Sequence, residues 1–129
     1  MIAPLIALLT LSAVEAAPPP LVANDGEAQA ARLHIGDTRI RCVRLPCPGR
    51  ALFVPRSPGG QAMRDTMLYV DVDGRKPPPP MIGDPADIAA IGTAWEERHC
   101  LAIDGRLIPG EEDRPVLRVD RIVGPCDRQ

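Results

Sequence analysis

The side chains of this sequence best suited to chemistry are four cysteines, two histidines and one run of arginines. Cys42 and Cys47 lie in "RIRCVRLPCPGR", residues Arg39 to Arg50, which also carries Arg41 and Arg44. Cys100 follows His99 directly, Cys126 stands near the end of the chain, and His34 is far from both. Such groups can exchange disulfides, ligate zinc, display a bait loop to a protease, hold an anion, or simply cross-link a fold. Thioredoxin-like exchange uses two residues between its cysteines and a helix N-terminus beside them. Here four residues intervene, and a strand-like run and a Pro-rich turn surround them. A zinc site drawn from Cys42, Cys47, His99 and Cys100 would need adjacent His-Cys ligands, which is not structural zinc spacing, and oxidation competes outside the cytosol. No metal or cofactor is therefore expected. A loop closed by Cys42 and Cys47 would still preorganise Arg44-Leu45 as a protease bait.

The arginines allow a different chemistry. Guanidinium groups grip phosphate and carboxylate bidentately, so Arg39, Arg41, Arg44 and Arg50 form a candidate site for an anionic glycan or lipid head group. Against it stands an ordinary solvated strand face whose arginines pair with Asp71 or Asp120. Fourteen arginines to one lysine also reduce the meaning of each single Arg. Nucleic acid fits poorly, because single-strand binding stacks bases on aromatic side chains, and the chain has one Phe, one Tyr and one Trp. No G-x-S-x-G, glycine-rich phosphate loop or H-E-x-x-H occurs. "DVDGRKPPPP" starts like a calcium loop but lacks its sixth-position Gly and twelfth-position acid. Enzyme activity is not expected.

Compartment decides the cysteine chemistry. Ile2 to Val14 is almost wholly apolar, of signal-peptide length and too short for the roughly 20 residues of a spanning helix. Val14-Glu15-Ala16 fits a cleavage site, although no Lys or Arg precedes the apolar run. Residues 1–16 are read as a signal peptide and 17–30 as a flexible Pro-rich leader. No cysteine sits at the cleavage point, so the mature product is expected to be periplasmic or secreted, with no lipid anchor and no transmembrane segment. Residues 31–129 form one domain. Its charge is near balance, although residues 32–64 hold seven arginines against one acid.

The elements that must position these groups are short. "ARLHIG" with "TRIRCV" predicts one long or bent strand, Arg39 and Arg41 on one side, Ile40 and Cys42 on the other. "ALFVP" is a second strand. "MLYVDVDG" is a third, with Leu68, Val70 and Val72 inward and Tyr69, Asp71 and Asp73 solvated. "RKPPPP" is a polyproline connector. Asp84 caps a following helix that starts at Pro85 and turns Ile88, Ile91 and Trp95, with Ala94 and His99, toward the core. "CLAIDGRLI" and "PVLRVDRIVG" complete a hairpin, with a bulge at Asp104-Gly105. This order (β-β-β-α-β-β) predicts a mainly β, five-stranded OB-like barrel with one helix, stapled by disulfides.

The segment "CLAIDGRLIPGEEDRPVLRVDRIVG", residues 100–124, has a Gly in its first strand and a Val-Leu-x-Val run in its second. It resembles the last hairpin of small secreted bacterial OB-fold-like domains of uncharacterised function. The resemblance covers about a quarter of the chain and implies fold, not activity. Four cysteines permit three pairings. A hairpin centred near Glu112 puts residue 100 opposite residue 124, near Cys126, and so favours Cys100–Cys126 and leaves Cys42–Cys47. The functional expectation is a binding or scaffold module using the arginine run. The alternative is a protein-interaction or protease-inhibitor-like module presenting the Cys42–Cys47 loop.

Overall fold

The computed structural model describes residues 30–44, 46–56 and 66–126. The expected signal peptide, nearly all of the expected leader, and Leu45 lie outside the described residues. Among these residues, six strands and one α-helix follow in the order β1 (Ala31–Asp37), β2 (Arg50–Phe53), β3 (Met67–Asp71), β4 (Met81–Ile82), α1 (Pro85–Glu96), β5 (Cys100–Ile108) and β6 (Val116–Pro125). They form one curled sheet, a half-barrel, ordered β3-β2-β1-β5-β6-β4. Neighbours are antiparallel except β4, which runs parallel to β6. The protein is thus mainly β with one helix, as the sequence implies. The expected count of five strands is one too few. β4 is only two residues long, directly after four prolines, and no periodicity is visible in so short a run. Pro80 cannot donate but does accept, and its carbonyl receives Leu117 N–H at 2.8 Å.

Asp84 starts α1 as expected: its Oδ1 accepts Ala86 N–H at 2.8 Å and Asp87 N–H at 3.4 Å, with Pro85 in the first turn. The helix buries Ile91, Ala94 and Trp95 against a cluster of Leu33, Ile35, Leu52, Ile103, Leu107, Leu117 and Val119. His99 is not on that face. The helix ends at Glu96, Arg98 adopts a left-handed conformation (φ 58°), and His99 N–H returns to Ala94 O at 2.9 Å. That is a Schellman-type ending with arginine where glycine is usual, and it leaves His99 exposed.

Two expected strands need correction. β1 stops at Asp37 instead of continuing through Arg39 and Arg41. Asp37 Oδ1 accepts Arg39 N–H, Thr38 N–H bonds Gly49 O, and Thr38 Oγ1 donates to Pro48 O at 2.6 Å. These bonds turn the chain into a loop, with Arg39 at φ 60°. At the C-terminal end of β3 the expected pattern is inverted: Asp71 is 1 % exposed, and Val72, just past the strand, is 43 % exposed. Alternation misleads here because both faces of this end of the sheet are covered. Leu68 and Tyr69 pack on the main cluster, Met67 and Val70 on a second cluster around Ala51 and Phe53. Asp71 can be buried because Arg50 is buried beside it.

The cysteines pair as Cys42–Cys47 and Cys100–Cys126. The β5–β6 register shifts at Asp104/Gly105, the expected bulge, and again at Ala102/Ile103. Each bulge adds a residue on β6, so Ala102 pairs with Gly124 and Cys126, not residue 124, comes across from Cys100. Gly105 is required at the first bulge, since a Cβ there would press on Arg118 O.

Two stability measurements follow. Loop entropy gives roughly 3.5 kcal/mol for the 100–126 bridge and about 2 kcal/mol for the 42–47 bridge. Replacing Cys100 and Cys126 together by Ser should therefore lower the Tm more than replacing Cys42 and Cys47 together. Asp84→Ala should cost about 1 kcal/mol in denaturant unfolding, and superimposable curves would show that the cap contributes nothing.

Candidate functional site

The arginine run divides in the folded chain. Arg50, first residue of β2, is buried, and its Nε and Nη2 meet Asp71 Oδ2 at 2.8 and 2.6 Å. Its Nη1 donates to Trp95 O at 3.0 Å, on the last turn of α1, where a cation suits the negative helix end. Its Nη2 also reaches Lys76 O at 3.4 Å, and its guanidinium lies 5.1 Å from the Trp95 ring. Arg50 is therefore internal, and the pairing with Asp71 is the strand-face alternative moved into the core.

Asp71 organises the chain after β3. Its Oδ1 accepts the N–H groups of Asp73, Gly74 and Lys76 at 3.0–3.3 Å. Burial on its own would raise this carboxyl's pKa. The bonds from Arg50, Lys76 and Asp73, with the Arg50 charge, bring it down to about 2. Trp95 Nε1 donates to Lys76 O at 2.9 Å, so the same segment is fastened to the helix.

This frame shapes a cleft of about 260 Å³ lined by Asp37, Arg41, Cys47, Gly74 and Arg98, among others. A Cβ on Gly49 would lie 3.3 Å from Arg98 Nη1, and one on Gly74 3.4 Å from Nη2, so the guanidinium sits between two bare backbones. A second cleft of about 250 Å³ adjoins Arg98 and is lined by Asp37, Arg39, His99, Cys100 and Pro125. Gly36 makes this approach possible: at φ 122° it meets His99 O so closely that any side chain would collide. Asp37 N–H bonds the same His99 carbonyl at 3.0 Å. The end of β1 is thereby fixed against the link from α1 to β5.

Of the arginines singled out by sequence, Arg39 and Arg41 reach these clefts. Arg44 stands exposed on the disulfide loop beside Val43, whose relative exposure is 102 %. Arg98 was not in the set. Sequence does carry a faint signal for it, an arginine in "EERHC" at the helix end, where glycine or asparagine would be expected. Neither Arg41 nor Arg98 has an ion-pair partner among the described residues, whereas Arg50 holds Asp71 and Arg32 and Arg121 share Asp104 at 2.8 and 2.6 Å. Beside the first cleft, Pro46, Pro48, Met67, Val70 and Val72 line an apolar groove of about 310 Å³. No protein-family model, curated protein or solved structure matches the chain. No helix among the described residues is long and apolar enough to cross a membrane.

The Asp71 pair predicts a pH dependence. Its folded pKa, about 2, lies below the unfolded value of 3.8, so its stabilisation is present above pH 4 and is lost as pH falls toward 2. The loss is ~2 kcal/mol. Although burial works against it, Asp104 is also held low by Arg32 and Arg121. Asp71→Asn should therefore flatten, without abolishing, the fall in unfolding free energy between pH 4 and pH 2. At neutral pH it should be less stable by about 3–5 kcal/mol, because Arg50 is left buried and unpaired. An unchanged slope would remove Asp71 from this role.

Proposed function

We propose that this is a small exported binding module, not an enzyme, that recognises a carboxylate- or phosphate-bearing envelope component through Arg98, Arg41 and Arg39. The observation that carries it is the convergence of Arg41 and Arg98 on one cleft with no carboxylate paired to either among the described residues. Guanidinium groups so placed suit bidentate capture of an oxyanion. Asp37 and Asp73 line the same cleft, each with an oxygen taken by a backbone N–H two residues on. Such carboxylates beside the arginines also suit hydroxyl donors, which favours an acidic saccharide over a bare head group. Two disulfides and the apolar N-terminal run support export. The strand run β3-β2-β1-β5-β6 supports an OB-like barrel left open between β3 and β6, whose outer edge carries the short β4.

A second reading has its own observation. Val43 is fully exposed in the disulfide loop, and Pro46 of the same loop lines the apolar groove. A protein partner, or a protease taking Arg44, would engage that surface.

Salt separates the two. Calorimetric titration with a uronic-acid oligosaccharide, a phosphorylated disaccharide and phosphatidylglycerol vesicles should give binding that weakens about tenfold or more between roughly 50 and 500 mM salt. Arg98→Gly should lose that binding while raising folding stability by about 0.5–1 kcal/mol, since glycine relaxes the left-handed backbone. Binding indifferent to salt and to Arg98 would refute the anion site, and capture lost only with Val43→Asp would favour the loop.

A further inference from the structure

His34 is a buried polar group with no duty in the cleft. It lies on β1, 1 % exposed, between its partners Phe53 on β2 and Ala102 on β5. Its ring meets Phe53 edge-on at 5.3 Å, and neither ring nitrogen has a hydrogen-bond partner among the described residues. A buried imidazole left so costs stability that phenylalanine at the same place would not. His34 is set on the face opposite Leu33 and Ile35, under the bridge that closes the β5–β6 hairpin. Its nitrogen and the sulfurs of Cys100 and Cys126 all lie within 4.8 Å of one another. A space of about 10 Å³ between them, bounded also by Asp37, Thr38 and Arg39, has room for one atom-sized guest.

We propose that His34, Cys100 and Cys126 form a redox-gated site for zinc or a similar thiolate-seeking metal ion, closed while the bridge is intact and opened by its reduction. Two thiolates and one imidazole with a free fourth position are a donor set that zinc accepts. Metal–ligand bonds of about 2.0–2.3 Å fit three donors spaced as these are, once the sulfurs part. Cys100 also borders the Arg39–Arg98 cleft, which gives a reductant its approach. A dithiol reductant attacks Cys100 Sγ, and Cys126 leaves as thiolate. The reductant's second thiol then displaces Cys100 and the reductant departs as its own disulfide, two electrons and two protons having passed to the pair. The metal ion replaces those two protons and takes the fourth bond position from water.

Cobalt(II) is the probe, because thiolate ligation gives it a charge-transfer band. The protein used is the full chain carrying Cys42→Ser and Cys47→Ser, reduced and kept anaerobic. One cobalt per chain should bind with a sulfur-to-cobalt band and tetrahedral absorption, zinc should displace it, and reoxidation should expel it. His34→Phe should weaken binding by at least about tenfold, since loss of even an outer-shell partner of a ligand costs that much. Reduction removes the more stabilising of the two cross-links, so Trp95 emission is followed in parallel, and metal should restore the native signal. Three results would overturn the site: no thiolate band, equal affinity in the His34→Phe chain, or equal affinity in urea.

Discussion

The buried ion pair between Arg50 and Asp71 is the constraint on which the other contacts depend. Each partner alone would be an unpaired charge in the core, and desolvation on that scale is tolerated only when the polar atoms of both groups find partners. The pair meets the condition. Arg50 and Asp71 face each other in the β2–β3 register, the guanidinium reaches a helix carbonyl and a loop carbonyl, and the second carboxylate oxygen collects three backbone donors. One interaction thereby specifies the relative positions of two strands, the segment after β3 and the end of α1. Lys76 extends the arrangement, its carbonyl taken by Trp95 and its ammonium 4.2 Å from the Tyr69 ring, while Tyr69 OH donates to Pro77 O.

The cleft is a by-product of that arrangement. With Trp95 held, the helix must end where it does, and Arg98 emerges over Gly49 and Gly74. With residues 72–76 wrapped on Asp71, Gly74 becomes a wall. With Gly36 pressed to His99, the Asp37–Arg39 turn arrives from the other side. None of the three arginines at the clefts is needed for the core, yet each is delivered by contacts that are.

Much of the fold was legible in the sequence. Asp84-Pro85 announced the helix by capping chemistry, Asp104-Gly105 announced a bulge, and the even cysteine count beside an apolar N-terminal run announced disulfides. The failures share a cause. Alternation assumes one wet face, and β3 has none at its buried end, so Asp71 read as solvated when it is the most connected carboxylate among the described residues. The strand drawn through Arg39 and Arg41 ended early because Thr38 and Asp37 bonded to the local backbone instead, a competition that short polar side chains commonly win. Arg98 was invisible for a different reason. Its place beside Arg41 arises from tertiary packing between segments 57 residues apart, which no window of sequence contains.

The backbone at the two clefts is held in a less favourable state than it need be. Arg39 and Arg98 both lie in the left-handed region, where a side chain costs about 1 kcal/mol relative to glycine. Glu112 and Asp113 do so as well, but in the exposed turn between β5 and β6, where such geometry is routine. At Arg98 a glycine would complete the helix ending with less strain, and nothing in the core would notice its loss. At Arg98 the strain therefore has no return in the core. It is sustained by the Arg50–Asp71 pair and two cross-links, which hold the chain on either side of it, and its visible product is a guanidinium aimed into a cleft with no carboxylate paired to it among the described residues.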